Sequence, residues 1–387
     1  MKVAVYDLYW STYGGGEQVD AAIAECLVRA GHDVTLLGPE PVDVDETQRR
    51  LGRDLSGCSY RRVTNDDEAS EASADVDLFV NGTYLSTAQN RAAAGLYYVH
   101  FPEVPGGRRQ QITRRIAAIG HRTLSRWNEL PSALAGVRNG LDRRRHDQSW
   151  VASYSVICAN SAFTAGWVET LWRCQTEVLY PPVAQIAAPA DGARHDIISV
   201  GRFFDRQYGH CKKQDVLLNA FIAEEDTRLQ SARLHLVGGA DAASRDYVLG
   251  LRRAALGHRV DVRVNVDRAD VVERLSTAGV FWHAGGFGED PETDPDRCEH
   301  FGIAVVEAMS AGCVPVVYAA AGPAEIVRNG IDGLQWSTTE ELIEISHELL
   351  NDPQRWKTLS VAARARATEF DVAAFDARLQ ALVRRYC

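Results

Sequence analysis

Apolar residues along this chain recur at two spacings, and the switches between them mark out alternating strands and helices. The run VAVYDL at 3–8 is short and nearly all apolar, as a strand buried on both faces would be. A glycine-rich loop follows, then helix-period positions over 17–29, then Gly31 and a second apolar run at 34–37. This strand–loop–helix–strand order is that of a doubly wound parallel sheet. Further strands are predicted at 78–81, 96–99 and 155–159, with a helix after the last that Ser161 would cap. The segment 43–75 is polar and acidic and predicts only one or two short elements. Residues 178–183, VLYPPV, read as an extended hinge. The alternation then resumes, with strands at 197–200, 234–237, 262–266, 279–282 and 313–318, a helix at 214–222, and terminal helices over 340–386. The fold class is α/β.

A length of 387 residues favours two domains over one core. With 45% hydrophobic and 24% charged residues, the composition is that of a soluble globular protein, and no run of about 18 apolar residues would cross a membrane. The chain enters its first strand directly after Met1 and Lys2, without a signal-peptide pattern, so a cytoplasmic location is expected. Eight cysteines, none in a C-x-x-C pair, predict free thiols, and a net charge of -10 argues against nucleic acid as a partner. The exception to the acidic balance is 108–145, where ten Arg, Arg108, Arg109, Arg114 and Arg115 among them, face two acidic residues, Glu129 and Asp142. Interleaved with Ile112, Ile116, Ile119, Leu124 and Trp127, they predict an amphipathic basic surface suited to anionic lipid or phosphate groups.

Candidate chemistry concentrates at 298–325, CEHFGIAVVEAMSAGCVPVVYAAAGPAE. Glu299 precedes a predicted helix and Glu307 lies about a turn and a half inside it. Between them, His300, Phe301, Gly302 and Ile303 lead into the first turn, whose N–H groups favour an anion. A sugar nucleotide, with hydroxyls at both ends and a diphosphate between, matches that spacing. Elsewhere, Gly14, Gly15 and Gly16 head a helix and would let backbone approach a phosphate, although the G-x-G-x-x-G fingerprint is absent. His100 ends a strand just before Phe101-Pro102 and so points into the crevice of a parallel sheet. Gly201-Arg202 ends another strand, and Lys212-Lys213 precedes the next helix. Cations there could stabilise charge on a departing diphosphate. Asp75-Val76-Asp77 runs straight into a strand and reads as a helix end rather than a metal site.

The string EHFGIAVVEAMSAG resembles the acidic motif of retaining glycosyltransferases of family 4, and YYVHFP resembles the first-domain histidine segment of mannosyltransferases in that family. The hinge resembles the linker of the GT-B fold, in which two Rossmann-like domains face each other across a cleft. The resemblance implies an acceptor-binding domain over 1–180, a nucleotide-sugar domain over 181–365, and a helix over 366–387 that returns to the first domain. It assigns His100, Arg202, Lys212 and Glu299 to catalysis. Gly14, Gly15, Gly16, Gly201, His300, Phe301, Gly302, Ile303 and Glu307 join Arg202, Lys212 and Glu299 around the donor. Lys212 takes the family position by counting back from Ala220-Phe221, across a loop (203–211) longer than usual. Gly322-Pro323-Ala324-Glu325 matches a Gly-x-x-Glu segment and is expected to start a helix. The acidic insertion 287–297 departs from the family pattern and is expected to form a lid. No cofactor or metal is implied.

The implied partners are a nucleotide-sugar donor, with GDP-mannose favoured over a UDP sugar, and a glycan or lipid-linked acceptor, with a possible anionic membrane surface. A glycoside hydrolase fits less well, since it needs two carboxylates flanking one bond. A non-catalytic sugar-nucleotide-binding partner subunit is the remaining alternative.

Overall fold

In the computed structural model, which describes residues 1–103, 148–187, 194–205 and 211–386, the strands assemble into two separate parallel sheets. Arg108, Arg109, Arg114 and Arg115, with the rest of the basic stretch, lie outside the described residues. The first sheet holds β1 (Lys2–Tyr6), β2 (Asp33–Gly38), β3 (Ser59–Arg62), β4 (Leu78–Asn81), β5 (Ala94–Val99), β6 (Val156–Ala159) and β7 (Glu177–Val178) in the order β3-β2-β1-β4-β5-β6-β7. The second holds β8 (Ile197–Val200), β9 (Leu234–Gly238), β10 (Val260–Val264), β11 (Val280–His283), β12 (Val314–Tyr318) and β13 (Leu334–Trp336) in the order β10-β9-β8-β11-β12-β13. Each sheet therefore reverses its strand order once, between β1 and β4 and between β8 and β11. At such a reversal the connections leave in opposite directions and open a crevice beyond the strand C-termini.

The central strands are apolar throughout because helices cover both faces: β4, β5, β6 and β11 are buried at every position. Where the sequence and the structure differ, the strand is marginal or displaced. β3, SYRR, is an edge strand with three of its four residues exposed, so it has no apolar signal to read. β10 lies two residues earlier than its apolar run suggested, and β11 extends through His283. The first helix begins at Gly15 rather than at 17. Cys26, Cys58, Cys158, Cys174, Cys211, Cys298 and Cys313 are free thiols.

The last helix, Val372–Tyr386, returns to the first sheet, where Phe375, Leu379 and Val383 join the core formed by Val3, Ile23, Leu36 and Val80. Direct contacts also close the gap between the sheets. The His300 ring stacks on Phe101 at 3.8 Å and an interplanar angle of 5°. Glu325 accepts hydrogen bonds from the N–H groups of Ala162 (2.9 Å) and Phe163 (3.1 Å) and from the Tyr180 hydroxyl (2.6 Å). Gln18 donates to the carbonyl of Pro182 at 3.1 Å. Among the described residues, no helix is long and apolar enough to cross a membrane.

Candidate functional site

In the second sheet the strand ends supply cations. β8 runs out through Gly201 to Arg202, whose exposed guanidinium lies 4.6 Å from the Phe204 ring centroid. This loop lies directly on β9, since a Cβ at Gly238 would fall 1.9 Å from the Gly201 carbonyl oxygen. Only glycine permits that approach. The helix Gln214–Glu224 opens with Lys213 at φ 53, a left-handed conformation that turns Lys212 and Lys213 in different directions. Lys212 forms an ion pair with Glu299, and Lys213, itself buried, pairs with Glu289 of the acidic insertion.

Glu299 is held from a second side by His283, whose Nε2 lies 3.3 Å from its carboxylate. Burial opposes ionisation of Glu299, but the Lys212 ammonium and the His283 contacts outweigh it and hold the carboxyl well below the usual carboxylate range. The following helix is Ile303–Ser310, and Gly302 at its N-cap has φ 109, where a side chain would be strained. No side chain caps this helix, so the positive end of its dipole faces the space beside Glu299. Glu307 accepts a hydrogen bond from Arg268 at 2.6 Å. A cleft of about 810 Å³ opens beside the β8 and β10 strand ends, with Arg202 and Arg268 on one side and Arg49 and Arg50 of the first-domain helix Val44–Leu51 on the other; Arg268 links it to Glu307.

The opposing lip is built from the C-terminal ends of β1, β4 and β5. Gly14 is the N-cap of the helix Gly15–Arg29 and donates to the Glu17 carboxylate. A Cβ on Gly15 would lie 3.2 Å from Ile303 of the second domain, so the glycine loop and the acidic-motif helix meet across the cleft. Gly16 abuts the His100 imidazole, 3.2 Å from Cε1 by the same measure. His100 Nε2 lies 2.9 Å from the Gly82 carbonyl, which can only accept, so Nε2 carries the proton. Burial lowers the His100 pKa below its usual value, which favours the neutral ring with Nδ1 as an acceptor.

Behind this lip lies a feature without an obvious sequence signal. Asp7, Glu17 and Asp20 are buried together, and Asp20 has no exposed surface and no hydrogen-bond partner for either carboxylate oxygen. Burial, reinforced by the negative charge of Glu17, pushes the Asp7 carboxyl up to about 7; Asp20 is raised well above its usual range by burial and by Asp7 and Glu17. Gly82 leaves the room for it: a Cβ there would lie 1.8 Å from Asp20 Oδ1.

The structure thus brings Gly15, Gly16 and His100 to one lip and Arg202, Lys212, Glu299, Gly302, Ile303 and Glu307 to the other. His300, expected at the donor, has its ring engaged with Phe101, and the buried Phe301 packs at 5.9 Å from Tyr180 and 5.7 Å from Phe370. The segment Gly322-Pro323-Ala324-Glu325 does open a helix, Ala321–Ile326, and its Glu325 is directed at the first domain. The insertion forms turns ending in the short helix Pro295–Arg297, with Phe287 packed against Tyr318 and Trp336. Asp75 pairs with Arg61 at 2.8 Å and Asp77 accepts from the Lys2 N–H, so both are structural. Among the described residues, no three His, Cys, Asp or Glu side chains converge as a metal site would require. Sequence reasoning missed His283, Glu289, Arg268 and the Asp7–Glu17–Asp20 cluster. His283 could have been found as a second strand-end histidine, and Asp20 as an acid on the apolar face of its helix.

Comparison with known proteins agrees with this architecture. The family described as Glycosyl transferases group 1 matches residues 187–366. A GDP-Man:Man(3)GlcNAc(2)-PP-Dol alpha-1,2-mannosyltransferase of Dictyostelium discoideum is 29% identical over 246 residues, 58% of this chain and 46% of the relative. The Xenopus laevis protein of the same name is 27% identical over 345 residues, covering 83% of this chain and 67% of that protein. The chain spans roughly half the length of such relatives, from 36% to 67% in the first three. Among solved structures, Anabaena HepE in complex with UDP superposes with a TM-score of 0.70 at 18% identity, covering 100% of both chains. The match to group 1 glycosyl transferases is thus carried by residues 187–366, and with two parallel sheets of this order the chain as a whole has the GT-B fold.

Proposed function

We propose that the protein is a retaining glycosyltransferase that moves a hexose, with mannose favoured, from a nucleoside-diphosphate sugar to a hydroxyl of a glycan or lipid-linked acceptor. The observation that carries this reading is the pair Glu299 and Glu307 astride the uncapped N-terminus of Ile303–Ser310, with Arg202 and Lys212 on the one connection from β8 to the helix Gln214–Glu224. In this reading the diphosphate lies at the helix N-terminus, Glu307 takes the ribose, and Glu299 and His100 position the sugar. Gly14, Gly15 and Gly16 approach from the opposite lip. The printed names of the mannosyltransferase relatives favour GDP-mannose, while UDP in the Anabaena complex keeps a UDP sugar as the second reading.

The proposed step is substitution on one face of the sugar. The bond from the anomeric carbon to the diphosphate oxygen breaks as the acceptor hydroxyl oxygen bonds to the same carbon from the same side. The hydroxyl proton passes to the leaving diphosphate, whose charge Arg202 and Lys212 stabilise. Losing one preorganised donor of this kind costs on the order of 3 to 4 kcal/mol, or 10²- to 10³-fold in turnover. Arg108, Arg109, Arg114 and Arg115 would serve an anionic acceptor or membrane surface, and vesicle binding that weakens steeply with salt is the expected sign.

Calorimetry with GDP, UDP and their sugar conjugates, with and without a chelator, tests the assignment. One nucleotide should bind regardless of chelator, Glu307→Ala should weaken that binding, and Arg202→Ala should lower turnover. Unaffected rates in both variants would sink the assignment. Donor binding without transfer to any acceptor would favour a partner subunit.

A further inference from the structure

The cleft holds a cation that the diphosphate does not account for. Arg268 is the first residue of the helix Arg268–Thr277, whose N-cap Asp267 accepts from the Asp270 N–H, so its backbone is fixed at the rim. Its Nη2 donates to Glu307 Oε1 at 2.6 Å, while Arg268 remains 45% exposed toward solvent. A guanidinium carries five N–H donors in a planar fork and no acceptor. One bond to Glu307 therefore leaves donors available to a ligand. Beside it the cleft wall is apolar, with Val200, Val266 and Val271, and its floor at Gly239 carries no side chain. The Asn265 side chain fixes that floor by accepting from the Ala240 N–H at 2.8 Å and donating to the Ala240 carbonyl at 3.0 Å. The lining also carries Glu46, Arg49, Arg50, Arg202 and Asp267, but the valine wall beside the Arg268 fork suits a heteroaromatic ring that presents paired acceptors.

We propose that Arg268 reads the nucleotide base in this cleft and selects guanine. The inference rests on the sugar-nucleotide reading above: if Glu307 takes the ribose, the base on that ribose lies beside Arg268. Guanine offers adjacent O6 and N7 acceptors that a guanidinium meets in bidentate fashion, whereas adenine sets its N6 amino donors against the fork. Uracil presents O4 next to its N3–H, one acceptor rather than two. Through its bond to Glu307, Arg268 also orients the carboxylate that would take the ribose, so the two contributions must be separated experimentally.

Calorimetric titration of GDP, UDP and ADP into wild type, Arg268→Ala and Arg268→Lys makes that separation, with melting temperatures checking that each variant folds. Wild type should favour GDP. Arg268→Ala should lose about 5- to 160-fold in GDP affinity, the discrimination carried by one bidentate base contact. UDP binding should change far less, and Arg268→Lys, with a charge but no fork, should recover only part of the GDP preference. Equal losses for GDP and UDP would mean that Arg268 acts through Glu307 alone and would overturn base reading. So would an unchanged GDP affinity, or a wild type that prefers UDP or ADP. If wild type binds none of the three, the sugar-nucleotide reading of the cleft itself fails.

Discussion

At the scale of single residues, burial and neighbouring charges set two opposite carboxyl environments, one in each domain. Glu299 is kept ionised by Lys212 and His283, so the stability it contributes is fully present above its ordinary value of 4.5 and is lost only in acid, as pH falls through the depressed folded value. Asp7 and Asp20 behave in reverse. Their folded values are raised, so above 3.8 the folded chain binds more protons than the unfolded chain, and stability falls as pH rises, through about 7 for Asp7 and upward from 3.8 for Asp20. Asp20→Asn keeps the shape and removes the charge. It should melt above wild type at pH 8, by about 2 to 4 °C for each kcal/mol gained if the first domain, of the roughly 150–250-residue size class, melts as a unit, with the difference vanishing toward pH 4. A difference independent of pH would show that Asp20 does not titrate with folding.

At the scale of elements, the acidic insertion and the loop before Gln214–Glu224 share a function that neither has alone. Glu289 reaches back to Lys213, and Arg297 stands 3.7 Å from the same carboxylate. The insertion therefore neutralises one of two adjacent lysines, while Glu299 neutralises the other. If Lys213 is a diphosphate ligand, Glu289 competes with the donor for it. Glu289→Gln should then tighten nucleotide binding by about 2- to 5-fold, the equivalent of an ion pair worth up to 1 kcal/mol. No change in affinity by calorimetry would assign the phosphate contact to Lys212 alone.

For the whole molecule, the contacts that join the two sheets lie beside the reacting centre rather than at the hinge alone. The residue after Glu299 stacks on Phe101, the residue after His100, so the positions of the two candidate catalytic side chains are coupled through that ring pair. Glu325 adds a carboxylate to the N-terminus of the first-domain helix Ala162–Trp172, already capped by Ser161. Glu325→Ala should cost about 1 kcal/mol of this cross-cleft attachment, as removal of a charge from a helix N-terminus does. The expected readout is a larger radius of gyration in solution scattering without donor, with compactness recovered on donor binding. An unchanged radius would place closure in the His300–Phe101 stack and the returning helix Val372–Tyr386.

Much of this was legible in the linear sequence, for a physical reason. Buried parallel strands need unbroken apolar runs, and helix ends need caps and left-handed glycines, all of which are set by residues a few positions apart. Hence the central strands, the Ser161 cap and the Gly302 to Gly312 frame of the acidic-motif helix could be read directly. β3 and β7 could not, because short edge strands bury too little to leave a pattern. Tertiary structure alone decided which charge faces which. Lys212 and Glu299 are separated by 87 positions, Arg268 and Glu307 by 39, and Glu325 and Ala162 by 163. Sequence determined that such residues stand at strand ends and helix starts; the packing of two sheets determined their partners, since only distance in space fixes an ion pair or the ionisation of a buried acid.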